Sequence, residues 1–441
     1  MAIPSTAEAA PGTSSSGPTV SRRYAWVVFA LSFGLLLSDY MSRQVLNAVF
    51  PLLKAQWLLS DSKLGSLSGV VALMVGLLTF PMSLLADRWG RVRSLVLAAT
   101  VWSVATLGCA LAASYGQLFL GRFVVGIGEA AYGSVGIAVV LSIFPVTLRA
   151  TLSGAFIAGG AFGSVLGVAL GGAIAGQAGW RWAFGAMGLF GLVMALVYAV
   201  VVTEKRLAPA GASEPDTAAR ARLRGQLPKL FSSVSVVCAY LGSGLQFAVC
   251  AALIAWLPSY FNRCYHMASA KAGTTAGMFA LVIGIGMIGA GMLSDRLDRI
   301  TAARKWTVAI GCCLGSMLLL VTAFQLPNGW AQLALLALGC LLSAGTSGPA
   351  AAMVANLTPV AISATAFATL TLANSLLGLA PGPAVTGLLA DHMGLRAALQ
   401  TLPLISIPAT VAFLIGRRHF NLRLVAALQR DAASARLEMT G

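Results

Sequence analysis

Apolar residues along the chain gather into blocks long enough to cross a bilayer, for which an α-helix needs about 20 residues. They fall at 24–50, 64–86, 94–113, 117–144, 148–178 and 183–202, and after a break at 233–261, 272–293, 306–324, 330–357, 362–390 and 397–415. The break, 203–232, carries Glu204, Lys205, Arg206, Glu214, Asp216, Arg220, Arg222, Arg224 and Lys229 and reads as a charged linker between two bundles. The pattern predicts an all-α membrane protein with twelve transmembrane helices in two six-helix halves, 24–202 and 233–415. Residues 1–23 form a tail expected to be disordered; 1–21 are rich in Ala, Ser, Pro and Thr and lack the apolar core of a signal peptide. Residues 416–441 form a basic C-terminal tail.

Composition agrees: 58% of residues are hydrophobic and 10% charged, with a mean hydropathy of +0.86, against about 25% charged in a soluble chain. A net charge of +16 would suggest a nucleic-acid partner in a soluble protein. Its distribution excludes that here. Of the 29 Lys and Arg, 21 fall in the tails, the linker and alternate loops, 6 fall in the other loops (Lys54, Lys63, Arg181, Arg263, Lys271 and Arg396), and Arg43 and Arg122 lie within helices. Positive charge marks the cytoplasmic side, so both termini and the linker are expected there. A monomer in a bacterial inner membrane is a separate expectation. Trp26, Trp57, Trp89, Trp180, Trp182, Trp256, Trp306 and Trp330 sit near helix ends, where an interfacial belt is expected.

The two halves repeat. Ser83-x3-Asp87-Arg88-x-Gly90-Arg91 returns as Gly291-x3-Asp295-Arg296-x-Asp298-Arg299. Gly163-x3-Gly167-Val168-x2-Gly171-Gly172 returns 215 positions on as Gly378-x3-Gly382-Pro383-x2-Thr386-Gly387, and Gly179-x-Arg181 as Gly394-x-Arg396. Parallel halves around a midplane site are a transporter design.

Within the apolar blocks, charge is confined to Asp39 and Arg43 in the first and Arg122 and Glu129 in the fourth. Charge at membrane depth is costly and marks a polar cavity or a partner. Glu129 lies 12 residues into its helix, roughly 18 Å deep at about 1.5 Å per residue. Asp39 and Arg43 are one turn apart and are expected to pair. Arg122, seven residues before Glu129, is too far along the helix for a direct bond, so Glu129 is expected to lack a fixed partner and to carry the proton, with Asp39 as the second proton-coupling acid. A structural ion pair between the first and fourth helices is the other reading, as is an Arg122 that snorkels to the interface.

The second half has no charge within any helix. Its polar positions include Tyr240, Gln246, Ser343, Thr346, Ser347, Thr371 and Asn374; with Phe247 beside Gln246, these are candidates to contact the apolar or amphipathic body of a substrate. Arg43, Arg122 and Tyr132 are the candidates in the first half. No catalytic Ser/His/Asp set, phosphate loop or metal spacing is present, and His266, His392 and His419 lie in loops or tails. Neither an enzyme nor a cofactor or metal is expected. Of the seven cysteines, six lie in apolar blocks and Cys264 stands alone in a loop, so no disulfide framework is expected.

Asp87-Arg88-x-Gly90-Arg91, its weaker copy at 295–299 and the paired glycine stretches resemble the major facilitator superfamily over 24–415. Tyr40-Met-Ser-Arg-Gln-Val-Leu46, the stretch from Leu59 to Gly69 and Gly126-Ile-Gly-Glu-Ala-Ala-Tyr132 are similar to its bacterial Spinster-like branch. Organic-anion symporters share the Glu-Ala of the fourth helix. The resemblance implies alternating access and a conformational latch of Asp87, Arg88, Gly90, Arg91, Asp295 and Arg296. It also implies a lysolipid or sphingoid-type substrate. The branch usually has an acid directly before the Arg of helix one; here that place is Ser42, and Asp39 stands one turn earlier. The glycines of the fifth helix resemble those of superfamily antiporters, with Val168 where Pro is usual, and favour export. The expectation is a proton-coupled transporter of an amphipathic or anionic organic solute. A symporter importing a small organic acid and a solute sensor are the alternatives.

Overall fold

The computed structural model describes residues 21–144, 146–204, 231, 233–298, 303–358 and 363–420. Most of both tails and nearly all of the linker therefore lie outside the described residues; residues 22 and 23, expected to be disordered, begin the first helix, and residues 416–418 end the last. In the first half the helices are α1 (Arg22–Trp57), α2 (Asp61–Trp89), α3 (Arg91–Ala110), α4 (Tyr115–Glu129), α5 (Tyr132–Ile143), α6 (Val146–Ala178) and α7 (Trp180–Val201). In the second half they are α8 (Val234–Cys264), α9 (Ser269–Asp298), α10 (Arg304–Gln325), α11 (Trp330–Ser343), α12 (Ser347–Leu357), α13 (Ser363–Asn374), α14 (Pro381–Met393), α15 (Leu395–Thr401) and α16 (Ser406–Arg418). Eleven stretches among the described residues are long and apolar enough to cross a membrane. The pair α4 and α5 makes the twelfth crossing, being two helices of 15 and 12 residues in line where the sequence pattern reads as one.

The repeat seen in the sequence is a repeat of backbone. The bounds of α11 and α12 lie 214 or 215 positions after those of α4 and α5, so both halves break their fourth crossing at the same level. The eleventh crossing carries a π-helical turn, Ser375–Leu379, between α13 and α14. Gly179 and Gly394 each close a turn with φ of +93° and +83°, values that L side chains rarely adopt. The arginine two residues on then caps a neighbouring helix end: Arg181 donates to Ala112 O at 3.1 Å and Arg396 to Phe324 O at 3.0 Å. Those carbonyls are orphaned by the end of their own helices.

The outer face of the bundle is apolar. Leu97, Leu120, Phe162, Leu189, Val200, Met278, Ile288, Leu318, Leu338 and Leu388 are all exposed, as expected where the solvent is lipid. Trp26, Trp89, Trp182 and Trp330 are exposed. Trp180, Trp256 and Trp306 are buried instead, which corrects their assignment to a belt: each fills a helix crossing, as where Trp256 packs on Phe50 at 5.1 Å between ring centroids.

The halves meet asymmetrically. One buried cluster draws on both, joining Val45, Phe50 and Leu53 of α1 and Leu64 of α2 to Leu253, Trp256 and Leu257 of α8 and Ala272 of α9. It lies toward the end of the bundle that carries Asp61. Toward the other end, that of Gly90, each half has its own cluster: Val28, Leu35, Leu95 and Val139 in the first, Val236, Trp306, Met353 and Phe413 in the second. The shared end is drawn tight by glycine. A Cβ on Gly65 or Gly69 of α2 would lie 2.3 or 2.4 Å from the carbonyl oxygen of Pro383 or Ala380, and one on Gly387 of α14 would lie 2.3 Å from Asp61 O. Gly172 of α6 and Gly273 of α9 likewise meet backbone to backbone. The paired glycine stretches thus have two uses. Gly163, Gly167 and Gly171 seat α6 on Tyr40, Met41 and Val45 of α1. Gly172 and Gly387 seat one half on the other.

Gly69→Leu should therefore prise α2 from α14 and lower stability by about 1–3 kcal/mol, the usual cost of overpacking. A thermal unfolding midpoint in detergent unchanged from the wild type would show that this contact does not hold the halves together.

Candidate functional site

The four charges of the first and fourth crossings meet. Small residues place α4: a Cβ on Gly126 would lie 2.7 Å from Met74 Cβ of α2, and one on Gly128 would lie 2.7 Å from Trp102 N of α3. Wedged there, α4 ends at Glu129, whose carboxylate reaches across to α1. Arg43 donates to Glu129 Oε2 from Nε at 3.0 Å and from Nη2 at 2.8 Å. Ser42 Oγ lies 3.2 Å from Glu129 Oε1. Arg122, fully buried, donates from Nη1 to Ser42 O at 2.9 Å and from Nη2 to Arg43 O at 3.0 Å. Its guanidinium thus grips the backbone of α1 and does not snorkel to a surface.

The expected pairing holds in part. Arg43 Nη2 lies 3.7 Å from Asp39 Oδ1, so the ion pair one turn apart on α1 is formed. Glu129, read as lacking a fixed partner, is held closer, at 2.8 Å. Residue spacing shows only neighbours on the same helix; the shorter path to Glu129 runs between helices. The Arg43 side chain is 18% exposed while those of Asp39 and Glu129 are 5% and 0%, so Arg43 is the least buried of the three. It also lies over the Tyr40 ring at 5.2 Å.

Tyr132, the first residue of α5, is buried against Trp102 and Phe156, with its hydroxyl bonded to Ser32 O. That contact ties α5 to α1; the ring does not face an open space.

The second half carries an uncharged counterpart. Gln246 of α8 donates to Ser316 Oγ of α10 at 2.9 Å and to Ser343 O, the last residue of α11, at 3.2 Å. The first and fourth crossings are thus bridged in each half, by an ion pair in one and by an amide in the other. The Ser343 hydroxyl turns back to Cys340 O at 2.8 Å, so the residue serves the bridge through its carbonyl. Gln246 Oε1, Tyr240 Oη, Thr346 Oγ1 and Asn374 Oδ1 are buried and make no hydrogen bond. Asn374 directly precedes the π-helical turn, and Phe247 is half-buried beside Gln246. Thr371 is exposed.

At the Gly90 end, Arg88, Arg91, Asp295 and Arg296 are exposed and, among the described residues, form no ion pair with one another. Gly90 closes its turn at φ +98°. The side chain of Asp87 and residue Arg299 lie outside the described residues.

A second charged cluster was not anticipated. At the shared end, Asp61 of α2 receives both arms of Arg263 of α8, at 2.7 and 2.8 Å, and Lys54 Nζ at 2.7 Å. In return, Asp391 of α14 accepts the backbone N–H groups of Asp61 at 2.6 Å and Ser62 at 3.0 Å, at the N-terminus of α2, where the helix dipole favours an anion. Two acids and two cations thus seal the halves reciprocally. Lys54 and Arg263 had counted only as loop charges. The signal available in the sequence was an acid, Asp61, directly after the capping Ser60 in a loop otherwise marked by Lys.

Comparison with known proteins follows this geometry. Residues 32–381 match the model of the Major Facilitator Superfamily. The chain is similar to protein spinster homolog 3 of Danio rerio, 26% identical over 251 residues that cover 56% of this chain and 50% of that one; the match thus spans half the length of that relative. It is similar to a probable 4-methylmuconolactone transporter of Cupriavidus pinatubonensis, 25% identical over 378 residues, 83% of this chain and 84% of that one. A crystal structure of a bacterial homolog of the human lysosomal transporter Spinster, inward-facing and unoccupied, shares the fold with a TM-score of 0.82 at 21% identity, over 91% of this chain and 98% of that one.

The pairing sets an order of stabilities. Glu129→Gln removes the charge that Arg43 holds at close range and should cost about 1–3 kcal/mol. Asp39→Asn, whose lost contact is longer, should cost less. Thermal unfolding of both variants checks this, and a larger loss in Asp39→Asn would make Asp39 the stronger partner of Arg43.

Proposed function

The chain belongs to the Major Facilitator Superfamily, and from that premise we propose that it is a proton-coupled secondary transporter of an amphipathic or anionic organic solute, working by alternating access. The observation that carries the reading is Arg43, the least buried member of the cluster, whose guanidinium is bound by Glu129. Arg43 is the group that receives an anionic headgroup, since its planar fork suits a carboxylate or a phosphate. Glu129 is its anchor. Asp39, buried and 3.7 Å from Arg43 where Glu129 is 2.8 Å from it, is the acid that takes the proton. The unbonded polar atoms of Tyr240, Gln246, Thr346 and Asn374 serve the uncharged body of the solute from the other half.

With both termini cytoplasmic, as the distribution of Lys and Arg favours, the sealed Asp61 end faces out and the site opens inward. The latch of Asp87, Arg88, Gly90, Arg91, Asp295 and Arg296 belongs to the opposite state. Likeness to Spinster-like proteins favours a lysolipid or sphingoid-type substrate, and the glycines of α6 favour export.

A second reading has its own support. An anion that draws Arg43 from Glu129 frees a carboxylate, which a proton must then neutralise in the membrane interior. Anion and proton then travel together. That stoichiometry, and the match to 84% of a probable 4-methylmuconolactone transporter, favour a symporter importing a small organic acid. A third, a solute sensor, is separated by transport itself.

The test is counterflow in proteoliposomes with a radiolabelled lysophospholipid, sphingosine or a small organic acid, with and without a proton gradient. Asp39→Asn should lose accumulation on the gradient and keep exchange at equal pH. Glu129→Gln should lose both, because Arg43 is then no longer held in place. Accumulation retained by Asp39→Asn and lost only by Glu129→Gln would move the proton to Glu129, and absence of counterflow for every solute would leave the sensor.

A further inference from the structure

The sealed end holds a cavity separate from the Arg43 cluster. It has a volume of about 530 Å³, within the range of small-molecule sites, and its wall includes Lys54, Asp61, Arg263, Cys264, Arg396 and Gln400. Three of these are cations and one an acid. The cavity is wet, since the Lys54 and Arg263 side chains are 38% and 24% exposed. Arg263 presents its two arms in parallel, Nη1 to Asp61 Oδ2 at 2.8 Å and Nη2 to Asp61 Oδ1 at 2.7 Å, with Lys54 Nζ on the same Oδ1. This is the geometry in which a guanidinium binds a carboxylate or a phosphate from any source. The Asp61 carboxylate shows where the two oxygens of such a group sit. Asp391 does not compete for the arginine, because both of its oxygens are taken by the backbone N–H groups of Asp61 and Ser62.

We propose that this cavity is an oxyanion-binding site: a carboxylate or phosphate group enters it, displaces Asp61 from Arg263 and Lys54, and so loosens the bond between the halves at this end. Binding and opening are then linked. Each ion pair given up by Asp61 is replaced by one to the incoming anion, which removes most of the electrostatic cost of separating α2 from α8. Because Asp61 is an internal competitor, its removal should strengthen binding although a charged residue of the site is lost. A cavity that merely collects counterions would also gain from the lost negative charge, but it would not distinguish phosphate from chloride at matched ionic strength. The proposal does not rest on which solute the Arg43 site moves.

Cys264 reports on the cavity without modification of the chain, because it lies in the wall and is half-buried while the other six cysteines are buried. Purified full-length protein in detergent is alkylated with N-ethylmaleimide across a titration of inorganic phosphate, and separately in nanodiscs with and without phosphatidylglycerol. The yield at Cys264 is read by peptide mass spectrometry. Saturable protection of at least fivefold is expected, absent with chloride at matched ionic strength. Asp61→Asn should lower the half-protecting phosphate concentration at least tenfold, and Lys54→Gln and Arg263→Gln should each raise it at least tenfold. Protection by phosphate in detergent identifies a soluble ligand, and protection only with phosphatidylglycerol identifies a lipid headgroup; both support the site. Protection matched by chloride, absent in every arm, or unchanged by Asp61→Asn overturns the proposal. Should Asp61→Asn fail to fold, an unchanged half-protecting concentration in Lys54→Gln overturns it equally.

Discussion

The structure turns on one ion bridge, from Arg43 of α1 to Glu129 at the end of α4. A charge in the membrane interior needs a partner, and a pair that is buried tolerates little misplacement. Much of the first half can be understood as what holds that bridge in register. Gly126 and Gly128 bring α4 down onto α2 and α3, Gly163 and Gly167 press α6 onto the same stretch of α1 from another side, and Arg122 fastens the α1 backbone directly beside Arg43. The helix then breaks after Glu129, so the acid stands at a helix end rather than in mid-span.

The second half repeats the skeleton without the charge. Gln246 bridges to Ser343 where Arg43 bridges to Glu129, and the fourth crossing breaks at the equivalent place. An amide bridge does not change with pH in the range where carboxylates and histidines titrate. The two halves therefore offer one charged bridge and one neutral one within a common frame. Among the described residues the frame closes at one end, where glycine contacts and the reciprocal acids Asp61 and Asp391 join the halves; at the Gly90 end each half keeps its own core.

Much of this was legible in the residues. Twelve apolar blocks, the 215-residue repeat and the isolation of Asp39, Arg43, Arg122 and Glu129 all follow from counting, because a bilayer imposes a length on helices and a cost on charge. Partnership was legible only within one helix. Spacing gave Asp39 to Arg43, whereas the closer contact with Glu129 comes from the packing of α1 on α4. The break after Glu129 hides in an apolar run whose composition does not change there. Trp256 and Trp306 have the sequence position of belt residues and the environment of core residues, since distance from a helix end says nothing about which face a ring takes. Asp61 was overlooked because loop charges were weighed for topology alone, and its partner Arg263 lies 202 positions away.

On the proposed function, Arg43 occupies Glu129 and leaves Asp39 to carry the proton. Infrared difference spectroscopy of the protein in liposomes during a pH step, with the carboxyl carbons of Asp labelled with carbon-13, reads this directly. The account predicts a protonated-carboxyl band that appears on acidification, shifts with the Asp label and vanishes in Asp39→Asn while persisting in Glu129→Gln. A band that ignores the Asp label and vanishes only in Glu129→Gln would contradict it.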